Sequence, residues 1–86
     1  MDSCSFIMAI LQQNRVETAL SVQNVLTKYG CYIHVRLGLH EAAAGLCNSD
    51  GLILLQLAGA DLPLEKFIAE LEAIDRVKVK VMKLDF

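Results

Sequence analysis

The stretch SFIMAILQ, residues 5–12, is apolar along almost its whole length and is flanked by polar residues. A strand in the middle of a sheet, covered on both faces, requires such a run, so this stretch predicts a central strand. The stretch GLILLQLA, residues 51–58, has the same character and predicts a second one. Both strands are expected in the middle of the sheet.

An amphipathic segment follows each of these runs. Residues 15–29 predict a helix with a broad apolar stripe, which consists of Val16, Ala19, Leu20, Val22, Leu26 and Tyr29. Asp61 and Pro63 mark the start of a second helix. Its expected buried stripe follows the i, i+3, i+4, i+7 spacing and consists of Leu64, Phe67, Ile68, Leu71 and Ile74.

Alternation with a period of two indicates two further strands. One begins at Cys31 and is expected to turn one face to the core and the other away from it, with Ile33, Val35 and Leu37 inward and Tyr32, His34 and Arg36 outward. The other covers residues 76–84, RVKVKVMKL, in which valines alternate with lysines. Lysines deter pairing between exposed strand edges, so this segment predicts an edge strand.

The order of these elements predicts the fold. Strand, helix, strand, strand, helix, strand is the succession of a ferredoxin-like βαββαβ domain, of the α+β class. Residues 1–86 are therefore expected to form a single ferredoxin-fold domain. With strands numbered along the chain, we expect a four-stranded antiparallel sheet in the order 4-1-3-2, with both helices on one face.

The chain is more apolar than one small core can accommodate. Of its 86 residues, 55% are hydrophobic, and its mean hydropathy is +0.44. A domain of this length buries only about 60–65% of the surface that its unfolded chain exposes. The surplus predicts a homodimer or a tetramer, formed through the helix-free face of the sheet or through an edge strand.

Charge and cysteine usage exclude several classes of function. Ten acidic and eight basic residues, without a basic cluster, argue against direct nucleic-acid binding by this chain alone. Cys4, Cys31 and Cys47 are odd in number and widely spaced, which argues against a disulfide framework and favours a cytoplasmic location. The first apolar run follows no basic segment and is too short to span a bilayer, so neither export nor a membrane anchor is expected.

The candidate site lies at the end of the second strand and in the segment after it. Residues 39–50, LHEAAAGLCNSD, are long for a hairpin connection, and such loops often carry function. We expect a small-molecule pocket at a subunit boundary, built by His34, Arg36, Gly38, His40 and Glu41. The planar guanidinium of Arg36 suits a carboxylate or a phosphate, and Gly38 lets a ligand approach the backbone closely. No cofactor is expected.

Two other classes of function stay open. His34, His40 and Cys47 are residue types that hold nickel, zinc or copper, so a metal-binding sensor is one alternative. The surplus apolar surface fits a second alternative, a pure protein-interaction module. An enzyme is not expected, because the sequence has no serine, histidine and acid at suggestive spacing, no paired carboxylates in an apolar frame and no glycine-rich phosphate loop.

The whole chain resembles a group of small ACT-like proteins that regulate the iron-only hydrogenase system. The resemblance is carried by YIHVRLGL, residues 32–39, with Arg36, Gly38 and the long loop after it, and by the closing VKVKVMKL, residues 77–84. It implies a regulatory domain that senses an unidentified small-molecule effector as an oligomer, without catalysis.

A more distant resemblance is to the metal-sensing C-terminal domain of the nickel-responsive repressor, which shares the βαββαβ order. His34 matches the first histidine of that family's H-x-H pair, but Arg36 replaces the second. Cys47 lies within the loop instead of at the start of the next strand. The DNA-binding segment of the repressor has no counterpart here, so a transcriptional role is expected to need a partner protein that contacts DNA.

Overall fold

The computed structural model of the chain describes residues 5–13, 15–39 and 51–85. These residues form the helices α1 (Arg15–Lys28) and α2 (Leu64–Glu72) and the strands β1 (Ser5–Gln12), β2 (Ile33–Leu39), β3 (Gly51–Ala58) and β4 (Val77–Leu84). A short 3-10 helix, Gly30–Tyr32, joins α1 to β2. Three candidate residues, His40, Glu41 and Cys47, lie outside the described residues.

The strands form one antiparallel sheet in the order β2-β3-β1-β4. Met8 of β1 lies opposite Leu55 of β3, and Ile10 lies between Ile53 of β3 and Val79 of β4. The predicted order 4-1-3-2 is confirmed, since it is the same order read from the other edge. The two apolar runs occupy the two central positions, and the whole is a ferredoxin-like βαββαβ fold.

Helix α2 packs on the sheet with the stripe that its sequence predicts. Phe67 and Leu71 are fully buried, and Leu64, Ile68 and Ile74 are partly buried against the same core. The side chains that complete this core come from the central strands and from α1, and the most buried are Met8, Ile10, Leu55, Leu57, Val22 and Leu26. The predicted buried stripe of α2 is therefore confirmed.

Helix α1 turns a different side to the core from the one predicted. Thr18, Val22 and Leu26, each four residues from the next, are buried, whereas Val16 and Leu20 are 81% and 72% exposed. Apolar residues lie on two sides of α1, so their periodicity does not single out the side that packs. The predicted stripe is wrong in its first half, and two large apolar side chains of α1 stay outside the core.

Strand β2 is irregular near its start. It begins at Ile33, later than predicted, because Cys31 and Tyr32 belong to the 3-10 helix. Its register against β3 shifts between Ile33 and Val35, which makes His34 the extra residue of a β-bulge. An extra residue of this kind reverses the faces of all the residues that follow it in the strand.

The bulge overturns the faces predicted for β2. Arg36 lies opposite the core residue Leu55 and is therefore on the helix side of the sheet. Val35 and Leu37 lie on the opposite side and are 54% and 50% exposed. Tyr32, expected on the helix-free side, packs against the core. The predicted outward position of Arg36 and the predicted inward positions of Val35 and Leu37 are wrong.

The face of the sheet without helices is called the open face below. Alternate residues of the four strands form it, namely Ile7, Ala9, Leu11, Val35, Leu37, Leu52, Leu54, Gln56, Lys78, Lys80 and Met82. Leu11, Val35, Leu37 and Met82 are each about half exposed. The charged members of this set are confined to the edge strand β4. Much of the surplus apolar surface expected from the composition is therefore on the open face.

A cluster of side chains joins the end of α1 to α2. Glu70 accepts a hydrogen bond from Lys28 Nζ at 2.7 Å and another from the hydroxyl of Tyr29. The Tyr29 ring stacks on Phe67 with the centroids 4.4 Å apart. The hydrogen bond from Lys28, followed by that from Tyr29, lowers the pKa of the Glu70 carboxyl. The hydrogen bond to Glu70, followed by burial, raises the pKa of the Tyr29 hydroxyl to about 12.

We expect this cluster to make stability depend on pH at both ends of the scale. The pKa of Glu70 is lowered from 4.5 on folding, so its contribution is present above pH 4.5 and is lost as the pH falls through the lowered value. The pKa of Tyr29 is raised from 10.0, so its contribution is present below pH 10 and is lost as the pH rises toward 12.

Melting temperatures measured across the pH scale check this prediction. The variant Glu70→Gln should show a smaller acid-side decline than the parent chain. The control Glu65→Gln, on an exposed position of the same helix, should keep the parent profile. Equal acid-side declines in the parent and in Glu70→Gln would show that the cluster does not carry the dependence.

Candidate ligand-binding site

A cleft of about 560 Å³ opens beside α1, where β1 ends and β3 begins. It is called the α1–β2 cleft below. Its volume lies in the range of small-molecule sites, roughly 300–1,000 Å³. Residues of four elements, β1, α1, β2 and β3, line it. The lining residues are Gln12, Ala19, Leu20, Val22, Gln23, Arg36, Gly38, Gly51, Leu52 and Ile53.

Among the lining residues that the structure describes, only Arg36 has an ionisable side chain. Its side chain is exposed, and among the residues that the structure describes it has no acidic partner. The bulge at His34 is the reason for its position, because without the extra residue Arg36 would lie on the open face. A local irregularity of the backbone thus places a cation in a mainly apolar cleft.

Gly38 leaves space in the same cleft. It lies opposite the core residue Ile53, and a Cβ atom added to it would meet no described atom within 4 Å. Its backbone does not need glycine either, because among the described glycines only Gly59 has a positive φ. Neither backbone strain nor packing against the described residues therefore explains the glycine, and the open space beside it is consistent with a ligand.

Two glutamines supply amide groups that the sequence did not single out. Gln12 is only 5% exposed, and its Oε1 atom accepts a hydrogen bond from Thr18 Oγ1 at 3.1 Å. Gln23 donates from Nε2 to Thr27 Oγ1, also at 3.1 Å. The sequence did contain a signal for Gln12, because it ends an apolar central strand, where a buried amide needs a hydrogen-bond partner. The sequence offered no comparable signal for Gln23.

The predicted site residues divide into three groups. Arg36 and Gly38 are brought together in the α1–β2 cleft. His34 is exposed at the bulge and is not among the lining residues. His40 and Glu41 lie outside the described residues, so the structure does not place them. The five-residue pocket therefore stays a prediction, of which two members share a cleft.

The predicted metal site cannot be located within the described part of the chain. Within residues 5–13, 15–39 and 51–85, no three histidine, cysteine, aspartate or glutamate side chains come close enough together to hold a metal ion. His40 and Cys47, on which the alternative depends, lie outside these ranges. The set of His34, His40 and Cys47 thus stays a prediction.

A second cleft, of about 470 Å³, lies at the start of β4. It is called the β1–β4 cleft below, and its lining includes Arg76, Asp75 and Glu72. Arg76 has a φ of +69°, a left-handed conformation that is uncommon for a residue other than glycine. Its carbonyl accepts a hydrogen bond from the backbone N–H of Gln13 at 2.9 Å. In contrast to the α1–β2 cleft, this one carries charges of both signs.

The described elements thus form a ferredoxin-like βαββαβ fold with a cleft of small-molecule size beside its first helix. An uncharacterized protein of Thermotoga maritima has a similar fold, with a TM-score of 0.82 and 21% sequence identity over 95% of this chain and 98% of that one. An unknown protein from Galdieria sulphuraria gives a TM-score of 0.66 and 10% identity over 96% of this chain and 46% of that one.

A third solved structure of similar fold is a formyltetrahydrofolate deformylase of Pseudomonas putida. Its TM-score is 0.62 and its identity 15%, over 93% of this chain and only 29% of the deformylase. At such identities these likenesses show the fold alone. No family model matches the chain, and no curated protein is significantly similar to it in sequence. Neither helix of the described residues combines the length and the apolar character that crossing a membrane requires.

Proposed function

We propose that this chain is a non-catalytic regulatory module that binds a small-molecule effector in the α1–β2 cleft and acts as an oligomer. The observation that carries the proposal is the meeting of Arg36 and Gly38, both selected from the sequence as ligand-binding residues, in one cleft of about 560 Å³. On the sequence resemblance alone, we propose the iron-only hydrogenase system as the process that it regulates. The identity of the effector is a separate question.

The chemistry of the cleft supports binding without catalysis. General acid–base or nucleophilic catalysis needs groups that exchange protons at the working pH, in contact with one another. Among the described residues that line the α1–β2 cleft, only Arg36 has an ionisable side chain, and a guanidinium donates hydrogen bonds without accepting any. The described lining residues can therefore hold and orient a ligand, and none of them is a side-chain acid or base that would accept its proton.

The open face supports the proposed self-association. Three strands of eight residues and one of seven, at about 3.4 Å per residue and about 4.8 Å between neighbouring strands, give this face an extent of at most about 27 by 19 Å. That is roughly 500 Å² per protomer, so two such faces cover about 1,000 Å², which is the lower bound for a specific interface. A second copy of this chain is therefore the occupant that we assign to the open face.

The edges of the sheet are less suited to pairing than the open face. The Val79 N–H donates to Glu72 Oε2 at 3.2 Å, and the Val77 N–H donates to the Ile74 carbonyl at 3.2 Å. These bonds occupy part of the β4 edge, and the bulge at His34 distorts the β2 edge. Occupied or bulged edges resist addition of another strand. Association through the open face therefore fits better than association through an edge.

The lysines of β4 favour one arrangement of the two open faces. If β4 lay over β4 of the second copy, Lys78 and Lys80 would face their own counterparts and repel them. If β4 instead lies over β2 of the second copy, the apolar stems of the lysines cover Val35 and Leu37 there, and the ammonium groups reach water at the edge. The second arrangement is the one that we propose.

Strand β2 links the cleft to the open face. Arg36 and Gly38 lie on its cleft side, and Val35 and Leu37, their neighbours in the chain, lie on the open face. A ligand that holds Arg36 and Gly38 thus restrains the strand whose other side belongs to the proposed interface. Binding and association are then coupled, and a ligand signal requires no chemistry.

A thermal-shift screen of metabolites and metal ions tests the proposed function. We expect at least one small molecule to raise the melting temperature of the parent chain and to lose this effect in Arg36→Ala, because its charged group then has no partner. His40→Ala tests a second predicted site residue in the same way. The matched control is Arg76→Ala in the β1–β4 cleft, which should respond as the parent does.

Two outcomes would contradict the proposal. One is a screen in which no compound stabilises the parent chain. The other is an effector whose action survives Arg36→Ala and is lost in Arg76→Ala, which would move the site to the β1–β4 cleft. A metal ion that acts through His40 and not through Arg36 would favour the alternative function of a metal-binding sensor.

A further inference from the structure

We infer that the effector of the α1–β2 cleft is a small organic monoanion, a carboxylate with an apolar body. This inference rests on the proposed function, since it names the chemical class of the ligand for the same cleft. It is drawn from the charge of the lining, from the apolar surface around that charge and from the space beside Gly38.

The charge of the lining selects an anion with a single charged group. Arg36 is the one ionisable residue of the lining and has no acidic partner among the described residues. Its guanidinium presents parallel N–H donors that match the two oxygens of a carboxylate. Sites for polyphosphates gather several cations or a glycine-rich loop, whereas the described part of this lining has one cation. A single carboxylate therefore fits the cleft better than a nucleotide.

The described lining favours an acid without an amino group over an amino acid. An α-ammonium group that enters a protein site needs a carboxylate or several carbonyl acceptors to replace its water. No aspartate or glutamate belongs to the described lining of the α1–β2 cleft. An organic acid without an amino group avoids that cost and makes the same bond with Arg36.

The rest of the lining accommodates an apolar body next to the carboxylate. Ala19 and Leu20 present exposed aliphatic surface in the same cleft as Arg36. The space over Gly38, where an added Cβ atom would meet no described atom within 4 Å, gives the body room to lie along β2. Affinity should therefore rise with chain length, by up to about fourfold for each methylene that leaves water.

Calorimetric titration with matched probes tests the inference. The probes are acetate, butyrate and hexanoate as the carboxylate series, hexanamide and hexylamine as neutral and cationic analogues, and norleucine as the amino acid with the body of hexanoate. We expect affinity to increase from acetate to hexanoate. Hexanamide, hexylamine and norleucine should each bind roughly tenfold more weakly than hexanoate, or worse, because a charge-assisted pair is lost or an ammonium group is left unpaired.

Variants of the intact chain assign the binding to the cleft. Arg36→Gln should weaken hexanoate roughly tenfold or more while leaving hexanamide unchanged, because only the carboxylate uses the guanidinium charge. Gly38→Val should abolish the binding of both compounds, because the valine side chain fills the space beside β2. The matched control is Gly30→Val, at a second glycine whose added Cβ would meet nothing described within 4 Å but which lies outside the cleft. It should bind as the parent does.

The outcomes separate this inference from the function on which it rests. Equal affinities for hexanoate, hexanamide and hexylamine, all abolished by Gly38→Val, would overturn the monoanion assignment and leave the cleft as a ligand site. Tight binding of hexanoate that is insensitive to both Arg36→Gln and Gly38→Val would overturn the assignment to this cleft. A third outcome is that no carboxylate binds, while the metabolite screen yields a non-anionic effector whose binding depends on Gly38. That outcome would overturn the monoanion inference and leave the proposed function standing.

Discussion

Replacement of Leu71 by alanine should lower the free energy of unfolding by about 2–5 kcal/mol, the usual range for a leucine truncated in a well-packed core. Leu71 is fully buried on α2, next to Phe67 in the sheet-facing stripe. In a domain of this size, each kcal/mol changes the melting temperature by about 4–8 °C, so the variant should melt at least about 8 °C below the parent or fail to fold.

A matched leucine serves as the control for this prediction. Leu20 on α1 is 72% exposed, so Leu20→Ala removes the same atoms from a position that packs little. Its effect should stay within about 0.5 kcal/mol. Thermal or denaturant unfolding of the three proteins at one chain concentration measures both effects. A Leu71→Ala variant that melts within a few degrees of the parent would show that α2 buries a different side.

A charge at the centre of the open face should separate the protomers. Leu54 lies between Ala9 of β1 and Leu37 of β2 on that face. In a symmetric dimer, Leu54→Lys buries two like charges without partners, and such burial costs several kcal/mol for each ion. We expect the parent to sediment as an oligomer at micromolar concentration and Leu54→Lys to sediment as a single chain.

The control for the interface is a lysine placed elsewhere. Val16 on α1 is 81% exposed and lies outside the open face, so Val16→Lys should keep the oligomer mass of the parent. Analytical ultracentrifugation over a dilution series provides the measurement. The proposed interface would be contradicted by a parent chain that has the mass of one protomer at every concentration, or by a Leu54→Lys variant that keeps the mass of the parent.

The fold was predictable from the sequence because its decisive signals are local. The apolar runs at residues 5–12 and 51–58 coincide with β1 and β3 as observed. An uninterrupted apolar run can be satisfied only where a strand has neighbours on both edges and cover on its faces, so the central positions followed directly. The helix stripe around Phe67 and Leu71 was equally clear, because α2 has apolar residues on one side only.

The candidate site was predictable in its residues and not in its geometry. Arg36 and Gly38 stood out as residue types, but the face on which they lie depends on the bulge at His34. A bulge is a property of the pairing between two strands, and nothing in the alternation YIHVRL indicates an extra residue. One unforeseen residue was enough to exchange the two faces of β2.

The side that α1 buries depends in the same way on its neighbours. Apolar residues on two of its sides, around Val22 and around Leu20, compete for the sheet. Both sets have helical spacing, so the sequence does not show which side of α1 is buried. The shape of the sheet and of α2 determines that side. Gln12 and Gln23 line the cleft because of this tertiary packing, which no local sequence pattern indicates.

Chemical-shift mapping tests the central claim, that the α1–β2 cleft is the effector site, most directly. The isotope-labelled parent chain is titrated with the compound that gives the largest stabilisation in the metabolite screen, and the backbone amide shifts are followed by NMR. The account predicts that the shifts among the described residues cluster at Arg36, Gly38, Gly51 and the segment of α1 from Ala19 to Gln23. Shifts that cluster at Asp75, Arg76 and Lys78 in the β1–β4 cleft, with those of Arg36 and Gly38 unchanged, would contradict it.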